Sequence, residues 1–178
     1  MNPKTLQQHE AVFKQCKSLF EQKTMDYGTA WQIMRPSSIT DQIFIKAQRI
    51  RTLEEKGHSL VGEGIDDEYI GIINYAIMGI IQLNKPSNHE LSKDQVIEMH
   101  NKIYGEIKSL MIKKNTDYGE VWRKMRIKTF TDLILMKIKR TKQIEENQGK
   151  TIVSEGIEAN YQDMVNYAIF ALIRRSEK

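Results

Sequence analysis

The feature that most constrains this sequence is an internal duplication. The pattern Asp-Tyr-Gly-x-x-Trp occurs at residues 26–31 and again at residues 117–122, an offset of 91. Matches continue in the same order on both sides, and Asn-Tyr-Ala-Ile recurs at 74–77 and 166–169, where the offset is 92. Ordered matches of this kind indicate two copies of one structural unit that bury their hydrophobic faces against each other.

Composition excludes several classes of protein. The single cysteine, Cys16, excludes a disulfide framework and a cysteine-rich metal site. No apolar run approaches the roughly 20 residues that span a bilayer, and no signal-peptide core is present, so we expect a cytoplasmic protein that does not enter membranes. The net charge of +4 is weak evidence for nucleic-acid binding but is compatible with a phosphorylated small molecule.

Hydrophobic periodicity predicts three helices in each copy. Apolar residues recur at spacings of three and four in three segments per copy. The second helices are predicted at about 40–55 and 131–146, and the third helices begin near Glu63 and after Ser154, which is expected to be an N-cap. The two Asp-Tyr-Gly segments are expected to form a loop or a short turn between the first and second helices, because glycine interrupts them.

These helices predict an all-α fold, a six-helix pseudo-twofold bundle made from two tandem three-helix repeats. We expect a single domain over residues 1–178, with repeat one at about 6–85, repeat two at about 96–178 and a linker at 86–92. The third helices are apolar around much of their circumference, so they are expected to pack together at the centre.

A line of acidic and amide side chains follows the third helix of each repeat. At 3.6 residues per turn, positions 0, 4, 8 and 11 from its first glutamate lie within about 80 degrees of one another. The line consists of Glu63, Asp67 and Asn74 in repeat one and of Glu155, Asp163 and Asn166 in repeat two. Each repeat lacks one acid, since Gly71 and Ala159 occupy the remaining positions. The four acids are therefore candidate ligands of Mg²⁺ (or Mn²⁺), and candidate catalytic residues.

Alternative roles exist for these residues. Acids in the first turn of a helix are also favoured by the helix dipole, so Glu63, Asp67 and Glu155 fit a capping role. Asn74 and Asn166 either contact a ligand or hydrogen-bond across the pseudo-twofold axis, since a buried amide needs a partner.

The second helices carry repeated basic residues. Lys46 and Arg49 lie on one helical face, and Lys137 and Arg140 are their copies. Such a face can bind the phosphates of a nucleotide whose metal ion is held by the acidic helix. The alternative is a solvated face, or ion pairs with the glutamates that follow on the same helices.

The Asp-Tyr-Gly segments offer aromatic and acidic groups. Tyr27 and Tyr118 can stack on a base, and Asp26 and Asp117 can accept hydrogen bonds from a sugar or a base edge. The alternative is that the tyrosines pin a turn. The tryptophans of these segments are expected to fill the interior of the bundle.

The order of these motifs resembles the nucleotide modification associated domain 1 family, over both halves and nearly the whole chain. A looser resemblance exists to the all-α nucleoside triphosphate pyrophosphohydrolases, the MazG and dimeric dUTPase group. That resemblance implies paired acidic helices that hold Mg²⁺ over a nucleotide. The chain departs from the group because no Glu-Glu-x-x-Glu follows on its second helix, where Lys56 and Gly57 come after Glu54 and Glu55.

Two functions follow as hypotheses. The first is a Mg²⁺-dependent nucleoside triphosphate pyrophosphohydrolase-like enzyme, in which the four acids hold metal and the repeated Lys and Arg hold phosphates. The second is a nucleotide-binding or regulatory module that kept the fold without the chemistry. Nucleic-acid binding through basic residues between Arg123 and Lys139 is a third and weaker option. Both a monomer and a homodimer are compatible with the sequence.

Overall fold

The computed structural model describes residues 2–57, 64–86, 88–152 and 155–178. The regular structure of these residues is entirely helical, which confirms the predicted all-α fold with three main helices in each repeat. The elements are α1 Pro3–Tyr27, a 3₁₀ turn Ala30–Ile33, α2 Pro36–Lys56, α3 Ile65–Asn84, α4 Lys93–Tyr118, a 3₁₀ turn Val121–Lys124, α5 Ile127–Glu146 and α6 Ile157–Ser176.

The first helix of each repeat extends further than the sequence predicts. Asp26 and Tyr27 form the last residues of α1 rather than a separate loop or turn. The helix ends at Gly28, where the backbone takes φ of +72°, and α4 ends in the same way at Gly119, with φ of +66°. Glycine is favoured here because residues that carry a side chain rarely adopt positive φ. The chain then reverses through the 3₁₀ turn into the next helix.

Two predicted helix starts, Glu63 and Ser154, lie outside the described residues. In the described part, α3 begins at Ile65 and α6 begins at Ile157, each after a glycine in an extended conformation.

The centre of the bundle is an antiparallel pair formed by α3 and α6. Asn84, at the end of α3, donates a hydrogen bond to Glu158 at the start of α6 (3.0 Å). At the other end, Asp66 pairs with Arg175. Most side chains of both helices are buried, and those of α3 include several isoleucines that face in different directions. Burying each large aliphatic side chain contributes about 1.5–3 kcal/mol, so this pair contributes a large part of the stability.

The other helices cover this pair symmetrically. α2 packs on α3, α5 packs on α6, and α2 also contacts α5. The first helix of each repeat reaches the third helix of the other, because α1 contacts α6 and α4 contacts α3. None of the helices in the described part of the chain combines the length and the hydrophobicity needed to cross a bilayer.

Two buried polar networks join the repeats. The Tyr69 hydroxyl lies 2.6 Å from Oγ1 of Thr131, which donates to the Glu54 carboxylate (3.2 Å). The pseudo-symmetric copy is formed by Tyr161, Thr40 and Glu145. Each network therefore takes its tyrosine from a central helix and its threonine from the second helix of the opposite repeat.

We expect Tyr69→Phe to lower the free energy of unfolding by about 1 kcal/mol, because a buried hydrogen bond is lost. Urea denaturation at neutral pH measures the change. Tyr118→Phe is the control, since this side chain is 72% exposed. Equal stabilities of the two variants would contradict a stabilising role for the network.

Two buried histidines form a second kind of contact between the repeats. His9 Nε2 donates to Oδ1 of Asn166 (3.0 Å), and His100 Nε2 donates to Oδ1 of Asn74 (3.1 Å). Each asparagine Nδ2 donates to a backbone carbonyl in the first helix of its own repeat, at 3.1 and 3.5 Å. The interpretation that these asparagines bond across the pseudo-twofold axis is confirmed.

These histidines predict acid sensitivity. Burial lowers the pKa of His9 to about 4 and that of His100 to about 3, from an ordinary value of 6.5. The folded state therefore binds fewer protons than the unfolded state, so stability is complete above pH 6.5 and falls as pH decreases below it. We expect a loss of about 1 kcal/mol per histidine between pH 7.5 and pH 5.5, measured by urea denaturation at each pH.

The control for this prediction compares His9→Gln with His89→Gln, a change at an exposed loop position. The first variant should lose part of the pH dependence and the second should keep all of it. Comparing the two variants also cancels the opposite contribution of Glu54 and Glu145, which are half-buried and whose pKa values are raised by partial burial. An identical pH dependence in both variants would show that His9 is not the responsible group.

Candidate ligand-binding site

A cavity of about 550 Å³ opens in repeat one, between the C-terminal half of α1, the first 3₁₀ turn, α2 and α3. Its aromatic walls are Phe20, Tyr27, Trp31 and Tyr75. Its polar lining consists of Lys23, Thr24, Lys46, Asp67 and Asn74. The cavity thus combines aromatic surface with two cations and one carboxylate.

Local structure brings these groups together. The positive φ of Gly28 ends α1 and sends the chain back, so that Tyr27 and Trp31 lie on the same cavity. Lys46 reaches it across the backbone of α3, because a Cβ at Gly71 would lie 2.7 Å from Cδ and Cε of the lysine. The Lys46 ammonium lies 5.6 Å from the centroid of the Tyr75 ring, within the range of a cation–π contact.

Four of the predicted site residues in repeat one line this cavity: Tyr27, Lys46, Asp67 and Asn74. Asp26 does not, and its side chain is exposed. Both polar atoms of Asn74 already have a protein partner, because Oδ1 accepts from His100 and Nδ2 donates to the Cys16 carbonyl. Tyr27 is 76% exposed and forms an edge of the cavity.

Arg49 has a structural partner that sequence reasoning missed. Its Nη1 donates to Oε1 of Glu68 (3.0 Å), and Lys46 lies 3.9 Å from the same carboxylate. Glu68 is buried, as expected of a carboxylate that neutralises nearby cations. Comparison of the two repeats did not identify Glu68, because the residue at the same position of repeat two is Asn160. The available signal was the Lys-x-x-Arg pair itself, because two cations on one face favour an anion on the helix packed against them.

In repeat two the acid of the central helix is bound by lysine side chains. Asp163 is buried between two lysines, with Oδ1 2.7 Å from Nζ of Lys114 and Oδ2 3.0 Å from Nζ of Lys137. Burial alone would lower the pKa of Lys114, but the hydrogen bond and the charge of Asp163 raise it, with a smaller contribution from Glu155. Arg140 forms no ion pair with the residues that the structure describes.

The aromatic residues of the two motifs also differ. Trp122 is buried and stacks on Phe170 with ring centroids 4.2 Å apart, which confirms the expected interior position. Trp31 is only partly buried and lines the cavity, so the expectation holds for one tryptophan and not for the other. Tyr118 and Asp117 are exposed on the surface of repeat two.

The described acids do not form a single centre. The antiparallel pairing places Asp163 level with about Met78, so it lies about 16 Å along the helix axis from Asp67. The premise that the acidic edges of α3 and α6 meet is therefore wrong for these residues, because the acidic first turns lie at opposite ends of the pair. Glu63 lies outside the described residues.

The described residues do not fit the predicted Mg²⁺ centre. Asp67 accepts a hydrogen bond from the Gly64 amide (3.0 Å), which is a helix-capping contact, and both oxygens of Asp163 are bound by lysines. Glu155 is exposed. Across the described ranges, no group of three or more His, Cys, Asp or Glu side chains is placed to hold a metal ion.

The fold and the cavity define a class of protein, a duplicated three-helix bundle with a ligand-sized cavity in one repeat. The chain belongs to the nucleotide modification associated domain 1 family, whose sequence profile matches residues 23–83 and residues 114–174. One match falls in each repeat, which confirms the resemblance found from the motifs. No curated protein and no solved structure matches the chain, so the MazG-like resemblance gains no support.

We expect Asp163→Asn to lower the free energy of unfolding by about 2 kcal/mol. This is less than the cost of breaking a fully buried pair, because the Lys114 side chain is 43% exposed and can turn to solvent. Urea denaturation measures the loss. The matched control is Asp117→Asn, an exposed acid in the same repeat. A neutral effect of Asp163→Asn would show that the two lysine contacts do not stabilise the fold.

Proposed function

We propose that the protein binds a nucleoside phosphate in the cavity of repeat one. The observation that carries this proposal is the combination of aromatic walls with two lysines in one cavity of about 550 Å³. That volume lies within the 300–1,000 Å³ that small-molecule sites usually have. A nucleoside phosphate carries the two matching features, a flat aromatic base and an anion.

The base would be held by the aromatic residues. Tyr27 and Trp31 flank the reversal after α1, and Tyr75 faces them from α3. Stacking of a base on an aromatic side chain contributes about 1–3 kcal/mol and tolerates different bases. Asp67, which is exposed at the same cavity, can accept hydrogen bonds from sugar hydroxyls or from amino groups of a base.

The phosphate would be held by Lys23 and Lys46. Both line the cavity, and a lysine ammonium binds phosphate as a compact point charge. Membership of a family described by nucleotide modification agrees with this ligand class.

Binding without hydrolysis is better supported than the pyrophosphohydrolase hypothesis. Among the described residues, Asp67 is the sole carboxylate that lines the cavity, whereas metal-assisted phosphoryl chemistry needs several oxygen ligands on one or two ions. We therefore assign no hydrolytic step to this site.

Nucleic-acid binding receives no comparable support. Arg123, the first residue of the proposed basic surface, is bound by Glu120 (3.2 Å) and Glu177 (3.1 Å) and lies over the ring of Trp122. Its charge is therefore already paired, and its Nη2 also donates to Thr5 and Gln8 of α1.

The test is a panel of nucleoside mono-, di- and triphosphates, measured by thermal shift and then by calorimetry. A ligand that prefers the folded state raises the melting temperature. We expect Tyr27→Ala to weaken binding by about tenfold, as expected for the loss of one stacking contact. Tyr118→Ala is the matched control, because it is the same residue of the other motif with nearly equal exposure.

Two outcomes would decide against this proposal. One is the absence of stabilisation by every nucleotide in the panel. The other is equal weakening by Tyr27→Ala and Tyr118→Ala, which would place the ligand elsewhere. Release of pyrophosphate with Mg²⁺ present would restore the enzyme hypothesis.

A further inference from the structure

The two repeats hold the same pair of lysines, with a different residue between them. The pairs are Lys23 and Lys46 in repeat one and Lys114 and Lys137 in repeat two. The position between them on the central helix is Gly71 in repeat one and Asp163 in repeat two. The two sites therefore differ at this position, and they also differ at Glu68, whose counterpart in repeat two is Asn160.

In repeat two this position is filled by an anion that belongs to the chain. The Asp163 carboxylate is contacted by both lysines at 2.7 and 3.0 Å, and its side chain is only 7% exposed. A carboxylate with an ammonium on each oxygen is the arrangement expected of a well-formed anion site.

In repeat one the same position carries no side chain. The stem of Lys46 lies directly on Gly71, and the cavity opens beside it. Lys23 forms no ion pair with any residue in the described ranges, and Lys46 has a 3.9 Å contact with a glutamate that Arg49 already binds. Two lysines thus line a cavity in which the carboxylate that joins the equivalent pair of repeat two has no counterpart at the same position.

We infer that Lys23 and Lys46 form a seat for the phosphate of the ligand, and that Asp163 is a built-in anion in the equivalent seat of repeat two. The chain then binds one ligand, in repeat one, and Gly71 is the residue that keeps this seat open. The assignment of the phosphate rests on the proposed function, whereas the ability of the seat to bind an anion does not.

The first experiment needs no ligand. Gly71→Asp supplies the carboxylate that repeat two already has, and Gly71→Asn has the same size without charge. Both must move the flexible end of Lys46, so their comparison isolates the charge. We expect the melting temperature of Gly71→Asp to exceed that of Gly71→Asn by about 4 °C or more at pH 7. Equal melting temperatures would overturn the inferred anion seat.

The second experiment measures nucleotide affinity. The wild-type protein should bind a nucleoside monophosphate at least about tenfold more tightly than the matching nucleoside. Gly71→Asp should remove this difference, since its own carboxylate takes the lysines. Lys14→Gln, at an exposed position of α1 outside this cavity, is a control that should keep the difference, whereas Lys23→Gln should reduce it.

The third experiment opens the other seat. Asp163→Gly copies the arrangement of repeat one, and inorganic phosphate should raise its melting temperature more than that of the wild-type protein. Asp163→Ala is measured in parallel in case the glycine prevents folding. Failure of phosphate to stabilise whichever variant folds would overturn the equivalence of the two seats.

The outcomes separate this inference from the proposed function. If nucleotide and nucleoside bind equally well and Gly71→Asp changes neither, the seat is wrong while ligand binding in the cavity stands. If no nucleotide binds but Gly71→Asp is more stable than Gly71→Asn, the seat stands and the proposed function fails.

Discussion

The antiparallel contact between α3 and α6 is the interaction on which the rest of the structure depends. Both helices are buried around most of their circumference, so neither can be covered by the two other helices of its own repeat. Gly79 allows the two helices to approach closely, because a Cβ there would lie 2.8 Å from the ring of Tyr161. Once the central pair forms, the first and second helices of each repeat contact elements of the other, and the bundle is one hydrophobic core.

Periodicity and duplication were sufficient to predict the six helices, because apolar residues repeated every three to four positions are typical of an amphipathic α-helix. The residues at which the helices begin and end were harder to predict. Asp26 and Tyr27 continue α1, since the residue that stops a helix is the glycine with positive φ and not the polar residue before it. The direction of packing between α3 and α6 could not be predicted, because both directions bury the same residues.

The candidate site shows where comparison of repeats helps and where it misleads. Lys46 and Tyr27 were found because they recur, and both line the cavity. Glu68 was missed because it does not recur. The predicted centre failed for the described acids because the first turns of two antiparallel helices lie at opposite ends of the pair, however well they align in sequence. Differences between copies, such as Gly71 against Asp163, are the basis of the inferred anion seat.

The contacts between His9 and Asn166 and between His100 and Asn74 have the symmetry of an isologous interface. Two separate copies of a single repeat could make the same contacts as a twofold dimer. In such a dimer every substitution occurs in both copies, so the equivalent sites of the two copies must change together. Covalent fusion of the copies removes that restriction, because each half can change on its own while the symmetric contacts of the interior are kept.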